Sequence, residues 1–424
     1  MRYGSFDRLS VQPGFPALDD LPQPPPGRIS VEITTPERLQ TIKREWDDLA
    51  SRAVVANAFM EPALVAAAAL ADSAEMVALL VWEPPRQGAG SRLLGGWVLA
   101  RRRASPLLPF DILKTPVHGH TFLGSPVLDR YAAVAALSAM LDAITEAPSL
   151  PKIVNIESLD AAGPIDEIFA EVLALRRSSA AVIETRQRPS LSKSEEATGA
   201  TLLSRNRSRD LRKRRKWLEQ QGALSQTHHC EVSEVEAAFE EFLVLEASGW
   251  KGRSSARGQA ILRSPAVTSF FRRAVAGLAA RGQVRVSALR LDGRAIAVQV
   301  VLVSGDTAFG WKTAYDETFR TGAPGLLLYE DLTARLLGDR AIASGDSCSQ
   351  DDTGPLGGLW ASRRCVSDVI IDVRPRRSVS FALVHALSSG RKRLLSSARR
   401  VRSWLAATRG QPSRRFPAPA GGDR

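Results

Sequence analysis

Residues 284–337 read VRVSALRLDGRAIAVQVVLVSGDTAFGWKTAYDETFRTGAPGLLLYEDLTARLL. Three runs, Val284 to Leu291, Ala295 to Val303 and Thr307 to Tyr315, are rich in β-branched and aromatic residues. They are separated by Asp292-Gly293 and Gly305-Asp306, turns that join antiparallel strands. The reading is a three-stranded meander that runs directly into a helix over 324–337. The junction, Glu317 to Gly325, is a strand, a glycine-containing turn and a helix N-terminus. Such a junction can hold an anion, because unpaired backbone N–H groups and the positive helix end point at one place. Arg320 adds a fork of donors suited to a pyrophosphate. Gly322 and Gly325 let a phosphate approach the backbone, and Pro324 fits the first helical turn. Taken alone, the pattern equally fits a tight strand-to-helix turn with no ligand.

Outward from this stretch, a short strand (341–344), a polar loop (345–358), a strand (366–373) and a basic helix follow. Before it lie a basic helix over 200–221 ended by Gly222, a strand at 224–231, and helices at 233–248 and 265–281. The first half begins with a strand at 29–33. A helix with Thr35 as N-cap and Pro36 in its first turn then runs to about Arg52. Strands at 76–82 and 92–101, strand and loop over 110–129, a helix at 130–146, a strand at 153–156, a helix at 164–176 and a strand at 180–187 complete that half. Both halves run strand, helices, meander, helix, strand, although no residue-by-residue repeat aligns them. The expectation is an α/β protein with mixed sheets flanked by helices. Its domains would span 29–190 and 200–375, between a disordered Pro-rich arm (1–28) and a basic helix with a disordered tail (376–424).

The chain has 424 residues, 44% hydrophobic and 24% charged, with a net charge of +12. That charge is local. Residues 201–221 set eight basic side chains against Asp210 and Glu219 (+6), residues 391–424 set ten against Asp423 (+9), and the remainder stands at −3. The body is therefore near neutral. Three cysteines, Cys230, Cys348 and Cys365, argue against a disulfide framework and fit a reducing compartment. The apolar run Ala63 to Ala71 is too short for a bilayer, and the N-terminal arm lacks a signal-peptide core. A cytoplasmic location is expected.

The order strand, Arg320-x-x-x-x-Gly325, apolar helix, set after a three-stranded meander, resembles the coenzyme A pyrophosphate loop of the GNAT superfamily of acyltransferases. That family's loop reads Arg/Gln-x-x-Gly-x-Gly/Ala. Here Arg320, Ala323 and Gly325 stand at the matching positions, so the middle glycine is replaced. A wider set comprises the basic helix 205–217, Glu246 to Arg253, Ala295-Ile296-Ala297, Tyr315-Asp316, Pro324-Gly325 and Asp346-Ser347-Cys348. Over about 200–375 it resembles the bacterial cellulose-biosynthesis-protein-D-like acetyltransferases, relatives of the Fem peptidoglycan aminoacyltransferases. The loop after Trp250-Lys251-Gly252-Arg253 departs from that family's Gly-Thr-Ala.

The resemblance implies direct acyl transfer from acetyl-CoA, without metal, to an amine or hydroxyl on a small molecule or sugar in polysaccharide or envelope synthesis. Two neighbouring parallel strands, 307–315 and 341–345, would splay apart to admit the pantetheine arm. Arg320, Gly322, Ala323, Gly325 and Leu326 would hold the cofactor, and Trp250, Lys312 and Asp316 the acceptor. Asp346 is then the candidate base, with Tyr315 or Cys348 as proton donor. The first half, with Trp46 to Leu49 and Phe122 to Pro126, would be a degenerate copy binding no cofactor.

Blander readings stand beside these. Asp346 can cap its own loop, a lone Cys348 can be a small buried hydrophobe, and Trp250 can be core. His228-His229-x-Glu231 does not converge on a metal if it lies on a strand, and His118-Gly119-His120 reads as loop. The basic helix 205–217 has three readings. It can be a solvated helix beside the coenzyme, a surface for RNA, DNA or an anionic membrane, or the docking element of an aminoacyl-tRNA-dependent, Fem-like transferase.

Overall fold

The computed structural model describes residues 29–84, 90–193, 205–252, 260–350, 352 and 355–392. The expected disordered arm (1–28) and tail lie outside these residues. The first half contains β1 (Ser30–Thr34), α1 (Lys43–Ser51), α2 (Pro62–Ala71), β2 (Met76–Glu83), β3 (Arg92–Arg103), β4 (Asp111–Thr115), β5 (Val127–Leu128), α3 (Ala133–Glu146), β6 (Ile153–Asp160), α4 (Pro164–Arg176) and β7 (Ser178–Ser192). The second contains α5 (Arg205–Glu219), β8 (Leu224–His229), α6 (Val232–Ser248), α7 (Pro265–Ala279), β9 (Val284–Leu291), β10 (Arg294–Ser304), β11 (Thr307–Tyr315), α8 (Pro324–Gly338), β12 (Ser344–Asp346) and β13 (Ser362–Pro375). A last helix covers 379–392.

Among the described residues the thirteen strands form one mixed sheet, ordered β1-β2-β3-β4-β6-β13-β7-β12-β11-β10-β9-β8, with β5 beside β3. Each half supplies an antiparallel meander whose third strand pairs in parallel with the strand after the next helix: β4 with β6, and β11 with β12. The final strands are exchanged. β13 lies beside β6 of the first half, β7 lies beside β12 of the second, and β7 and β13 pair with each other over most of their length. The sheet therefore does not divide between residues 190 and 200. It is the tandem GNAT-like α/β architecture expected, with the two copies laced through their last strands.

The sequence periodicity predicts most elements within a few residues, and the exceptions have local causes. The single helix expected over 35–52 is broken. Pro36–Gln40 forms a 3-10 turn capped by Thr41, whose hydroxyl donates to the Arg38 carbonyl and competes with helix continuation. β12 begins at Ser344 rather than 341. β7 and β13 extend past the expected ends, and along them Arg186 and Arg188 pair with Asp368 and Asp346 across the sheet. The apolar run at 62–71 is helix α2, packed on α7, where Gly277 gives room for Ala63.

In the first half the gap beyond the β4–β6 pairing is taken by the chain itself. Gly124 donates to the Ser158 carbonyl, and its own carbonyl accepts from Thr115 Oγ1 and Trp97 Nε1. A β-carbon at Gly124 would lie 2.6 Å from the Glu157 carbonyl oxygen. Only glycine fits there.

Candidate functional site

In the second half the corresponding parallel pairing ends early. β11 pairs with β12 only over Thr307–Phe309 against Ser344–Asp346, while on its other side β11 stays paired with β10 through Tyr315. Beyond Asp346 the chain follows β7, with Ser347 donating to the Pro189 carbonyl at 3.1 Å. The β11 edge from Gly310 to Tyr315 is thus left without a β12 partner. A β-bulge lies at this point: Val300 faces Lys312 and Val301 faces Gly310, so Trp311 is the extra residue. The bulge sends Trp311 and Lys312 to one face of the sheet, where both approach the Phe271 ring. Gly310 and Thr313 go to the other face, under α8. The Tyr329 hydroxyl accepts from Thr313 Oγ1 at 3.0 Å and would lie 3.4 Å from a β-carbon on Gly310. Burial pushes the Tyr329 phenol up to about 12, so it stays protonated.

Lys312 is half-buried. Its Nζ lies 3.3 Å from His120 Nδ1, and 5.0 Å and 5.4 Å from the Phe122 and Phe271 ring centroids. Burial, then the charge of Lys251, pull its pKa down to about 8. Burial and then Lys312 hold His120 at about 3, a neutral imidazole that accepts from the amine. The 118–122 loop of the first half therefore completes this face. It also accepts the Trp311 indole N–H on the His120 carbonyl at 2.8 Å and one Arg188 N–H on the Phe122 carbonyl at 3.0 Å. Nearby, buried Glu246 accepts from Lys251 Nζ at 2.8 Å and from Ile261 N–H at 2.9 Å.

The other residues expected at the site have more divided roles. Asp346 is buried and bound by Arg188 and by Arg364, the latter at 2.9 Å, while its second oxygen accepts the Cys348 N–H at 2.8 Å. Burial alone would raise its pKa, but the two guanidiniums outweigh it and hold the carboxyl below its ordinary value. A carboxylate so fully engaged is a poor proton acceptor. Asp346 is an anchor tying β12 to β7 and β13, and the base must be sought elsewhere. Cys348 is buried in a left-handed backbone conformation, φ 53°. Burial, then the Asp346 charge, push its thiol far up, which keeps it protonated. Asp316 caps the 3-10 turn Glu317–Gly322 through Thr318 N–H and pairs with Arg294, so it shapes the loop rather than facing an acceptor. Trp250 is exposed, and its N–H donates to Glu317 at 2.6 Å. Tyr315 is exposed at the end of β11, next to Gly325.

The loop itself turns the chain from β11 into α8. Arg320 is exposed and has no side-chain partner among the described residues. Ala323 takes the left-handed conformation (φ 46°) that turns the chain into α8. Leu326 N–H bonds back to the Ala323 carbonyl, and the N–H of Gly325 has no partner within the helix. Gly322 has a different job. A β-carbon there would fall 2.6 Å from Leu218 and 3.0 Å from Trp217, so its missing side chain seats the basic helix, not a phosphate. That helix is two-sided: Arg214 donates to the Thr321 carbonyl and Arg215 pairs with Asp331, whereas Arg209, Arg212, Lys213 and Lys216 face outward. His228 and His229 lie on β8 without a converging third ligand. Among the described residues no group of His, Cys, Asp and Glu is placed to hold a metal, and no helix is long and apolar enough to cross a membrane.

The sequence reading missed Tyr329, Arg188, Arg364 and the contribution of His120 and Phe122. A tyrosine directly after the Leu326–Leu328 run, whose hydroxyl needs a buried partner, was the available signal for the first.

An opened parallel pair with a helix N-terminus at its mouth defines an acyltransferase-like fold. Residues 205–345 match the profile of the acetyltransferase (GNAT) domain family. Among solved structures, the chain resembles FemX with 10% identity and a TM-score of 0.54, covering 82% of this chain and 98% of that one. It also resembles a tandem GNAT protein from the clavulanic acid biosynthesis pathway, with 14% identity, 82% and 100% coverage and a TM-score of 0.41. No curated protein sequence matches the chain significantly.

Proposed function

We propose that the protein transfers an acyl group from an acyl-CoA thioester, acetyl-CoA in the simplest case, to an amine or hydroxyl acceptor. The observation that carries this reading is the parting of β11 from β12 after Phe309, which leaves the Gly310–Tyr315 backbone free to bond an extended pantetheine arm. The N-terminus of α8 and the unpartnered Arg320 stand at the end of that edge, where a pyrophosphate would lie. The acceptor approaches from the Lys312 face. Its proton passes to Lys312 Nζ, a free base in useful amount near neutrality because its pKa is about 8. Tyr329, whose hydroxyl lies beside Gly310, donates to the leaving sulfur. The sequence resemblance of 200–375 alone points to a sugar or small molecule of polysaccharide or envelope synthesis as acceptor, handled in the cytoplasm.

Calorimetric titration of acetyl-CoA into the wild type and Gly325→Trp tests the donor. Binding by the wild type and loss in the variant is expected. Equal heats, or none, would remove the donor assignment. One observation favours a rival donor, an aminoacyl-tRNA: the outward row Arg209, Arg212, Lys213 and Lys216. Absence of acetyl-CoA heat together with tRNA binding that weakens steeply with salt would put that donor in its place.

A further inference from the structure

Beneath α8 a row of polar side chains crosses the sheet from the split to its edge. Thr313 of β11 pairs with Gln299 of β10, Gln299 with Ser287 of β9, and Ser287 with His228 of β8. Directly paired residues of antiparallel strands share a face, with β-carbons about 5 Å apart. This is the face of Ala297 and Val301, which pack with Leu327 and Leu328 of α8. Both ends of the row are bonded: Thr313 Oγ1 donates to Tyr329 Oη at 3.0 Å, and His228 Nδ1 lies 2.9 Å from Ser287 Oγ. The middle is not. Gln299 is fully buried with neither amide atom partnered, and His228 Nε2 is buried without a partner. Leaving such groups dry is costly, and buried polar atoms that lack a protein partner are ordinarily bonded by ordered water. An apolar residue at 299 would fill the space under α8 without that cost.

We propose that ordered waters complete this row and that it is the path by which Tyr329 regains its proton after each turnover. The proposal rests on the acyl-transfer reading. As the acceptor X–H attacks the thioester carbonyl, the C–X bond forms and the C–S bond breaks. The proton from X goes to Lys312 Nζ, and the Tyr329 Oη proton goes to the leaving sulfur. An ammonium and a phenolate remain. Lys312 is half-buried and can release its proton to solvent. Tyr329 is buried and needs another supply. A proton from solvent reaches the buried His228 Nε2 through the ordered water that completes its bonding, while the Nδ1 proton passes to Ser287. It continues through water held by the Gln299 amide, which orients that water without changing its own protonation. It ends on Thr313, whose hydroxyl already donates to the phenol oxygen. Burial, then the charge of Arg335 of α8, hold His228 near 4 and so neutral, the form that relays.

Rapid-mixing kinetics with acetyl-CoA and hydroxylamine as nucleophile, following thiol release, separate this role from a structural one. Gln299→Leu starts with Tyr329 protonated. Its first turnover should match the wild type and its later turnovers should be slower by on the order of ten-fold or more. That pattern is a burst of one thiol per protein that the wild type lacks. His228→Phe should show the same burst with an unchanged KM for acetyl-CoA. First and later turnovers slowed together, or neither slowed, would overturn the path while leaving acyl transfer intact. A wild type that neither binds acetyl-CoA nor releases thiol would sink the parent reading instead. A high-resolution crystal structure with no water on the Gln299 amide would overturn the path whatever the activity.

Discussion

Asp346 and Lys312 both read as polar residues near the end of a strand, and their surroundings send them to opposite tasks. Asp346 has three donors on its two oxygens and is held in the charged form. Lys312 has one neutral imidazole and two rings and is pushed toward its neutral form. Asp346→Asn should leave Arg188 and Arg364 under-compensated and cost about 3–5 kcal/mol, read from denaturant midpoints. Because the folded pKa of Asp346 is depressed, its contribution is present above the unfolded value and is lost as pH falls through the folded one. The gap between wild type and variant should therefore close in acid. The surviving folded fraction of Asp346→Asn should keep the wild-type pH–rate shape, and loss of the limb in a stable variant would restore Asp346 as base. Lys312→Met should lower kcat by about 10²–10⁴-fold with acetyl-CoA affinity unchanged. The wild-type rate should climb with pH to a plateau above about 8, as the amine loses its proton. That limb should vanish in the variant. Lys312→Arg should not rescue it, since a guanidinium does not give up its proton.

At the scale of elements, the split is a packing result and can be closed without unfolding the protein. Gly310 faces the Ser347 carbonyl, the Asp346 carbonyl and the Tyr329 hydroxyl, with a β-carbon there standing 3.3–3.6 Å from each. The methyls of Gly310→Val would fill the gap. Acetyl-CoA affinity should drop about ten-fold or more in calorimetry while the melting temperature moves little, and unimpaired binding would remove the donor from this gap. The meander and α8 were legible in the sequence because their signals are local: Asp292-Gly293, Gly305-Asp306 and the Leu326–Leu328 run each act within a few residues. The split was not, beyond what the resemblance implied, because it depends on where Phe309 meets Asp346 and where Ser344 meets Ser192, pairings that no local period encodes. Gly322 shows the limit from the other side. A glycine in a phosphate-like motif is needed at this position for Leu218 and Trp217, and sequence alone does not reveal which neighbour sets the space.

At the scale of the whole molecule, the exchanged strands make the halves one cooperative body, although the domain match stops at residue 345. β7 lies between β12 and β13, and Arg188 on it supplies one of the guanidiniums on Asp346. The first half also gives His120 and Phe122 to Lys312, the Phe59 ring to Phe309 at 5.7 Å, and buried Glu61, which accepts from Ser304 Oγ at 2.7 Å. A fragment of residues 205–392 would expose the edges of β12 and β13 together with the apolar face of α7, a combination that favours aggregation over folding. Expressed alone, it should show non-native circular dichroism or elute as aggregate, and should bind no acetyl-CoA. Co-expression with 29–193 should restore a complex, since β7 re-enters by main-chain pairing. A monomeric 205–392 fragment that binds acetyl-CoA with wild-type affinity would mean that the first half is dispensable to the donor site. The His120–Lys312 contact would then matter only on the acceptor side, where Lys312 in the fragment should titrate above its value of about 8 in the whole protein, because the first half that buries it is gone.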